Sequence, residues 1–334
     1  MARFLVRRLL QVIPTLAALS VLLFVWLRAL PGGPEVALLG ERATPEARAA
    51  IRDRMGLDEP VLVQYAAYMR DLLRLDLGTS TQTRQPVLEE FLLRFPGTVE
   101  LALAAMVIAV GVGIPLGYFA ARRRGSLLDN LTVGGSMVGI CTPIFFLAFV
   151  LKWVFGENLG WLPTIGRQSP GADATHITNM YVLDGILTQE WDAAWDAFLH
   201  LMLPAIAVAS IPFAIIVRMT RASVLEVLGE DYVRTAEAKG LTHRVIRGRH
   251  VLRNALLPVV TAIGVLAGAL LSGAVLTETV FAFNGIGLFV YNAIRNSDYP
   301  VLMGFIMFIA FTFVLVNLLV DISYSVIDPR VRVR

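Results

Sequence analysis

Six apolar runs, each long enough to cross a bilayer, constrain this chain more than any other feature. They cover approximately Leu9–Leu30, Thr98–Ala121, Asp129–Phe155, His200–Met219, Pro258–Phe281 and Val301–Ile327. A hydrocarbon core of ~30 Å needs ~20 helical residues. Lipid offers no partner to a bare backbone N–H or C=O, so such runs fold as helices. The expected fold class is therefore an all-α polytopic membrane protein with six transmembrane helices. Composition agrees: of 334 residues 56% are hydrophobic and only 16% charged, well below the quarter usual for soluble domains.

Arginines in short loops predict the orientation, because basic residues stay cytoplasmic. Arg122, Arg123 and Arg124 follow the second run, eight Lys and Arg residues lie between Arg218 and Arg253, and Arg330, Arg332 and Arg334 follow the sixth. Both termini are then cytoplasmic. The first run follows Arg3, Arg7 and Arg8 but is too long for a signal-peptide core and reads as an uncleaved span. The expected division is a cytoplasmic start and first helix over 1–30, an outer segment with short helices over 31–97, and a five-helix core over 98–334 that carries a cytoplasmic loop at 222–257. In the outer segment Pro45 opens one helix that Met55-Gly56 closes, and a second runs from Pro60 to Leu75. Trp191 and Trp195 are expected at the membrane interface.

Chemistry is scarce. Cys141 is the sole cysteine, which excludes an intrachain disulfide and a thiolate cluster. His176, His200, His243 and His250 lack ligand spacing, so no metal site is expected. The two lysines, Lys152 and Lys239, follow Leu151 and Ala238 rather than the glycine of a phosphate-binding loop. No protease zinc motif occurs, and Ser272 lacks a nucleophile elbow. No catalytic set emerges, and this chain is expected to bind no cofactor. Arg28, Glu100, Lys152, Glu278 and Asp321 lie near run ends, where snorkelling is expected to relieve their cost. A self-contained proton-coupled carrier therefore lacks its relay. Pro143 and Pro212 are candidate hinges.

The loop at 222–257 is polar, basic and amphipathic. Leu225–Lys239 has helical composition, and Gly240 can supply a left-handed cap. Tyr232, Thr235, Ala236 and Lys239 share one helical face. Two readings fit: a connector lying on anionic lipid, or a helix whose small and aromatic residues dock into a partner's groove.

Glu230-Asp231-Tyr232-Val233-Arg234-Thr235-Ala236-Glu237-Ala238-Lys239-Gly240-Leu241, with Leu257-Pro258 beyond, resembles the EAA loop of ATP-binding-cassette importer permeases. The likeness extends to Arg7-Arg8-Leu9-Leu10 with Leu30-Pro31-Gly32-Gly33-Pro34, Asp76-Leu77-Gly78-Thr79-Ser80 before Gln85-Pro86-Val87, Thr277–Phe281 with Gly285-Ile286-Gly287, Asp298-Tyr299-Pro300, and Asp328–Arg332. It covers nearly the whole chain and is closest to the dipeptide, oligopeptide and nickel branch, in particular its B-type subunits. Gly33 and Glu237 depart from the Asp and Arg frequent there.

The resemblance implies a type I importer fold in a bacterial inner (cytoplasmic) membrane. It implies a homologous second permease subunit, two ABC ATPase subunits that hold ATP and magnesium, a periplasmic substrate-binding protein and surrounding membrane lipid, with no nucleic acid. It assigns Glu230, Asp231, Tyr232, Thr235, Ala236, Lys239, Gly240 and Leu241 to ATPase coupling. Glu278 is either a candidate periplasmic gate or an interfacial structural carboxylate. Substrates implied are di- and oligopeptides, with glutathione, opines or nickel chelates as alternatives. A stand-alone secondary carrier and a membrane enzyme are the rivals of other classes.

Overall fold

The computed structural model describes residues 2–30, 34–35, 44–54, 56–172 and 174–327. The motif at Pro31-Gly32-Gly33, Met55 and the arginine-bearing end from Asp328 onward lie outside them, as do the side chains of Arg3, Arg7, Arg8, Ser272 and Asp321. Every element named below is helical. They are α1 (Ala2–Ala29), α2 (Pro45–Arg54), α3 (Val61–Leu73), α4 (Val87–Arg122), α5 (Leu127–Cys141) and α6 (Ile144–Leu151), which a π-helical turn, Lys152–Asn158, extends. There follow α7 (Tyr181–Leu187), α8 (Trp191–Leu228), α9 (Asp231–Ala238), a π-helical Ile246–Leu252 that leads into α10 (Arg253–Gly273), α11 (Val275–Val280), α12 (Ile286–Arg295) and α13 (Tyr299–Ile327).

Among the described residues four helices alone are long and apolar enough to cross a membrane: Val87–Arg122, Trp191–Leu228, His243–Leu270 and Tyr299–Val316. The run expected as one span over Asp129–Phe155 is instead a pair, α5 and α6 with its extension, bent by 106°. That pair makes a fifth span if counted as one, and the first run is present as the shorter apolar stretch Ile13–Ala29 of α1. The break sits at Thr142-Pro143, where both residues are extended (ψ 122° and 134°); proline forces its predecessor out of the helical region. Pro258 does not start its helix but lies inside α10, because the preceding basic residues are already helical.

Two compact units emerge, residues 1–96 with 285–334, and residues 97–284; the cut falls within α4. In the first, Leu23 and Leu27 of α1 meet Met303 and Met307 of α13. Val87 and Phe91 pack with Ile286, Phe289 and Ala293 of α12. Two distant sequence motifs also join here. Asp298, buried, accepts from Ser80 Oγ at 2.6 Å and from the backbone N–H groups of Thr81 (3.2 Å) and Gln82 (3.3 Å).

In the second unit α8 is the hub, packed against α5, α6, α7 and α10. Its buried stretch is rich in small residues, Ala205, Ala207, Ala209 and Ala214, which let helix backbones approach closely where lipid supplies no hydrophobic drive. Gly117 of α4 shows the same need: a Cβ there would stand 2.6 Å from the Val217 carbonyl oxygen.

Glu100 and Glu278 do not snorkel. Glu100 is buried against Arg167 (2.9 Å) and accepts from the N–H groups of Tyr181 (3.2 Å) and Val182 (2.8 Å). Its carboxylate thus satisfies the otherwise orphaned donors at the start of α7. Arg167 also donates to the Asn179 carbonyl (2.6 Å) and lies 3.8 Å above the Tyr181 ring. Protein partners replace water for both charges, the usual solution for an ion removed from solvent.

Candidate functional site: the loop between α8 and α10

The sequence leaves the membrane-length α8 at Leu228, pauses through Gly229 and extended Glu230, and enters α9 at Asp231. The expected continuous helix Leu225–Lys239 is therefore two helices. Asp231 lies in the first turn of α9, where a carboxylate is favoured by the helix dipole. At the other end Gly240 takes φ +73°. Gly240 N–H donates to the Glu237 carbonyl (2.9 Å) and Leu241 N–H to that of Ala236 (3.3 Å). These are the paired bonds of a Schellman cap, which needs a left-handed residue just past the helix.

The two sides of α9 differ. Val233 (2% exposed) and Ala236 (5%) pack with Ala121 at the end of α4, Val224 of α8, and Ile246, Val251 and Ala255 leading into and within α10. The sequence reading put Ala236 on a docking face with Tyr232, Thr235 and Lys239; it points instead into the chain's own core, since its i−3 neighbour Val233 defines the apolar stripe. Glu230, Asp231, Tyr232, Thr235, Glu237, Lys239, Gly240 and Leu241 are exposed. Tyr232 Oη accepts from Asn254 Nδ2 at 3.1 Å, a tether that sequence reasoning missed because Asn254 lies beyond the motif.

Near the same end of α8, at Arg221, α5 is fixed to it. Arg221 donates from Nε and Nη2 to the two carboxylate oxygens of Asp129, at 2.5 and 2.9 Å. Asp129 also accepts from Gly125 N–H at 2.9 Å, and Ser126 caps the same helix. The planar guanidinium matches a carboxylate in two bonds, which fixes direction as well as distance. The α4–α5 turn, α8 and α9 thus share one braced end.

The remaining candidates lie elsewhere. Pro143 stands at the bend between α5 and α6, whereas Pro212 sits inside the unbroken α8. Glu278 is fully buried on α11, accepting from Thr98 Oγ1 at 2.6 Å, and Lys152 Nζ donates to the Val280 carbonyl nearby (3.1 Å). Glu278 therefore joins α11 to α4 rather than facing solvent.

Residues 113–333 match the family model "Binding-protein-dependent transport system inner membrane component", and residues 1–102 match its amino-terminal companion. The chain is 44% identical to the dipeptide transport system permease protein DppB of Alkalihalophilus pseudofirmus, over 99% of this chain and 100% of that one. It is 44% identical to DppB of Escherichia coli K12, with 99% of each covered. The di/tripeptide permease DppB of Pseudomonas aeruginosa matches at 44%, again with 99% of each covered. The MetNI methionine ABC transporter, solved in inward-facing conformations, matches with a TM-score of 0.52 at 15% identity, covering 72% of this chain and 98% of that one; this likeness concerns the fold. A family model spanning most of the chain and relatives matched end to end lead to one conclusion: this chain belongs to the binding-protein-dependent transport system inner membrane components, the permease subunits of ABC importers.

Proposed function

We propose that this chain forms half of the pathway of a peptide importer, with dipeptides as the leading substrate, and that a homologous second permease forms the other half. Two ATPases dock below and hold ATP and magnesium, a periplasmic binding protein delivers substrate from above, and the chain itself carries no catalytic group. Both termini are cytoplasmic, and 222–257 is the coupling loop.

One observation carries the mechanism: α9 is clamped on its inner side and bare on its outer side. Val233 and Ala236 hold it to the ends of α4, α8 and α10, while Tyr232, Thr235, Glu237, Lys239 and Leu241 face out. A load applied to the outer face passes into three long helices without first deforming a flexible loop. Closure of the ATPases on ATP draws α9 inward, and the helices follow; Pro143 and Pro212 are the proposed hinges. Glu278 is a structural link in this scheme rather than a gate that opens alone. Shifting a population from 1:99 to 99:1 requires about 5.5 kcal/mol of differential binding, which ATP binding and α9 docking supply jointly.

The test is affinity purification of the tagged chain from native membranes in mild detergent, with partners identified by mass spectrometry and dipeptide uptake measured in the same strain. Recovery of two ATPases, a second permease and a binding protein is expected. An intact preparation that contains this chain alone and still transports would replace the proposal with a self-contained carrier.

A further inference from the structure

The segment between α6 and α8 carries a surface that coupling does not use. α7 and the first turns of α8 form a tight hairpin: a Cβ at Gly185 would stand 2.7 Å from Ala194 N, so the two helices touch backbone to backbone. The inner side of α7 is polar and anchored. Asp184, fully buried, accepts from Thr178 N–H (2.8 Å) and Thr178 Oγ1 (2.7 Å), and Glu100 takes the first N–H groups of the helix. The outer side is apolar and bare: Leu183, Ile186, Leu187, Trp191, Trp195 and Phe198 are all exposed, with Trp195 and Phe198 stacked at 5.4 Å.

Depth follows from α8 itself. Trp195 and Arg218 lie twenty-three positions apart on this one helix, or about 35 Å at 1.5 Å per residue. A hydrocarbon core is ~30 Å thick and ~40–45 Å with its interfaces. With Arg218 at one polar boundary, Trp195 and Phe198 fall at the opposite one, the depth at which indole rings collect. α7 has 7 residues, too few to span, and its apolar side continues the patch on α8. A short helix that is anchored on its polar side and apolar on the other lies in the plane of the interface.

We infer that the α7–α8 hairpin is an interfacial wedge whose Leu183, Ile186, Leu187, Trp191, Trp195 and Phe198 are covered by the glycerol and upper acyl region of outer-leaflet lipid. Continuity with a membrane-spanning helix and the depth of the indoles select lipid over a water-borne partner. The wedge seats the connection between α6 and α8 in the membrane and holds the Glu100–Arg167 pair at a defined height.

The test uses the assembled transporter in nanodiscs of phosphatidylethanolamine and phosphatidylglycerol. In a Cys141→Ser background, spin labels are placed through Leu187→Cys, Trp195→Cys and, as an aqueous control, Asp192→Cys. At 187 and 195 relaxation by oxygen should exceed that by a water-soluble nickel chelate several-fold, with the order reversed at 192. Nickel access at 187 and 195 equal to that at 192 overturns the wedge; exclusion of both reagents there overturns it in favour of a protein cover. A second measurement avoids labels. The fluorescence lost on Trp191→Phe/Trp195→Phe substitution should be quenched at least twofold by lipid brominated near the headgroup, and unquenched emission overturns the inference.

Discussion

Arg221 and Asp129 meet in two parallel hydrogen bonds across 92 positions of sequence, joining α8 to the start of α5. The carboxylate is almost fully buried and the guanidinium a quarter exposed. Removing one partner strands the other, at a cost of about 3–5 kcal/mol for buried pairs; the partial exposure of Arg221 puts this case at the low end. Arg221→Ala is expected to lower the thermal midpoint in detergent and to reduce uptake. Exchange of the two charges in Asp129→Arg/Arg221→Asp should recover part of both, and a double variant no better than the worse single one would refute the pairing.

The two sides of α9 should separate stability from coupling. Val233→Ala removes roughly two methylenes from a packed site, about 1.6 kcal/mol at ~0.8 kcal/mol each, and is expected to shift the unfolding midpoint. Glu237→Lys and Thr235→Trp, on the bare side, should leave the midpoint within a degree or two yet abolish substrate-stimulated ATPase activity of the reconstituted complex. Wild-type stimulation in both outer variants would remove α9 from the coupling interface.

At Gly240 the backbone requires a positive φ, which costs a residue with a Cβ about 1–2 kcal/mol. Gly240→Ala is expected to fray the end of α9, seen as faster amide exchange across Thr235–Leu241, and to lower uptake. Gly240→Asn, which tolerates this region better, should fall between Ala and wild type. Equal exchange in all three proteins would mean that the cap is irrelevant.

Asp298→Asn weakens three hydrogen bonds to a charged acceptor, from Ser80 Oγ and from the Thr81 and Gln82 amides. Bonds to charged groups are each worth about 1.5–3 kcal/mol, and one such increment is the expected loss. Ser80→Ala should lose less, and the double variant should be less damaged than the sum. Strict additivity in that cycle would show that the two residues act separately.

Much of the architecture was legible in the chain. Membrane-length apolar runs gave helices because lipid permits little else, and Gly240 announced its cap through the one backbone region it uniquely favours. Pro143 marked the break in the third run, although nothing local gave its size. What escaped were pairings across distance. Asp298 and Ser80 each looked like part of a separate motif, and nothing local joins residues 218 apart. Glu100 and Glu278 were misread because proximity to a run end suggests water, whereas Arg167 and Thr98 supply protein partners. Ala236 was misread because its small size suits docking as well as packing; Val233, three residues earlier, was the signal that decided the side.

The bond between Ser80 and Asp298 also sets a schedule. Ser80 is added to the growing chain 218 residues before its partner, an interval of about 10–40 s at 5–20 residues per second. Throughout that time the Asp76–Ser80 turn waits for its buried acceptor, and Val87 and Phe91 wait for the α12 residues that cover them. The amino-terminal unit is thus finished last, although it is begun first. A chain cut short before residue 298 lacks the acceptor for Ser80, so its amino-terminal unit cannot be completed.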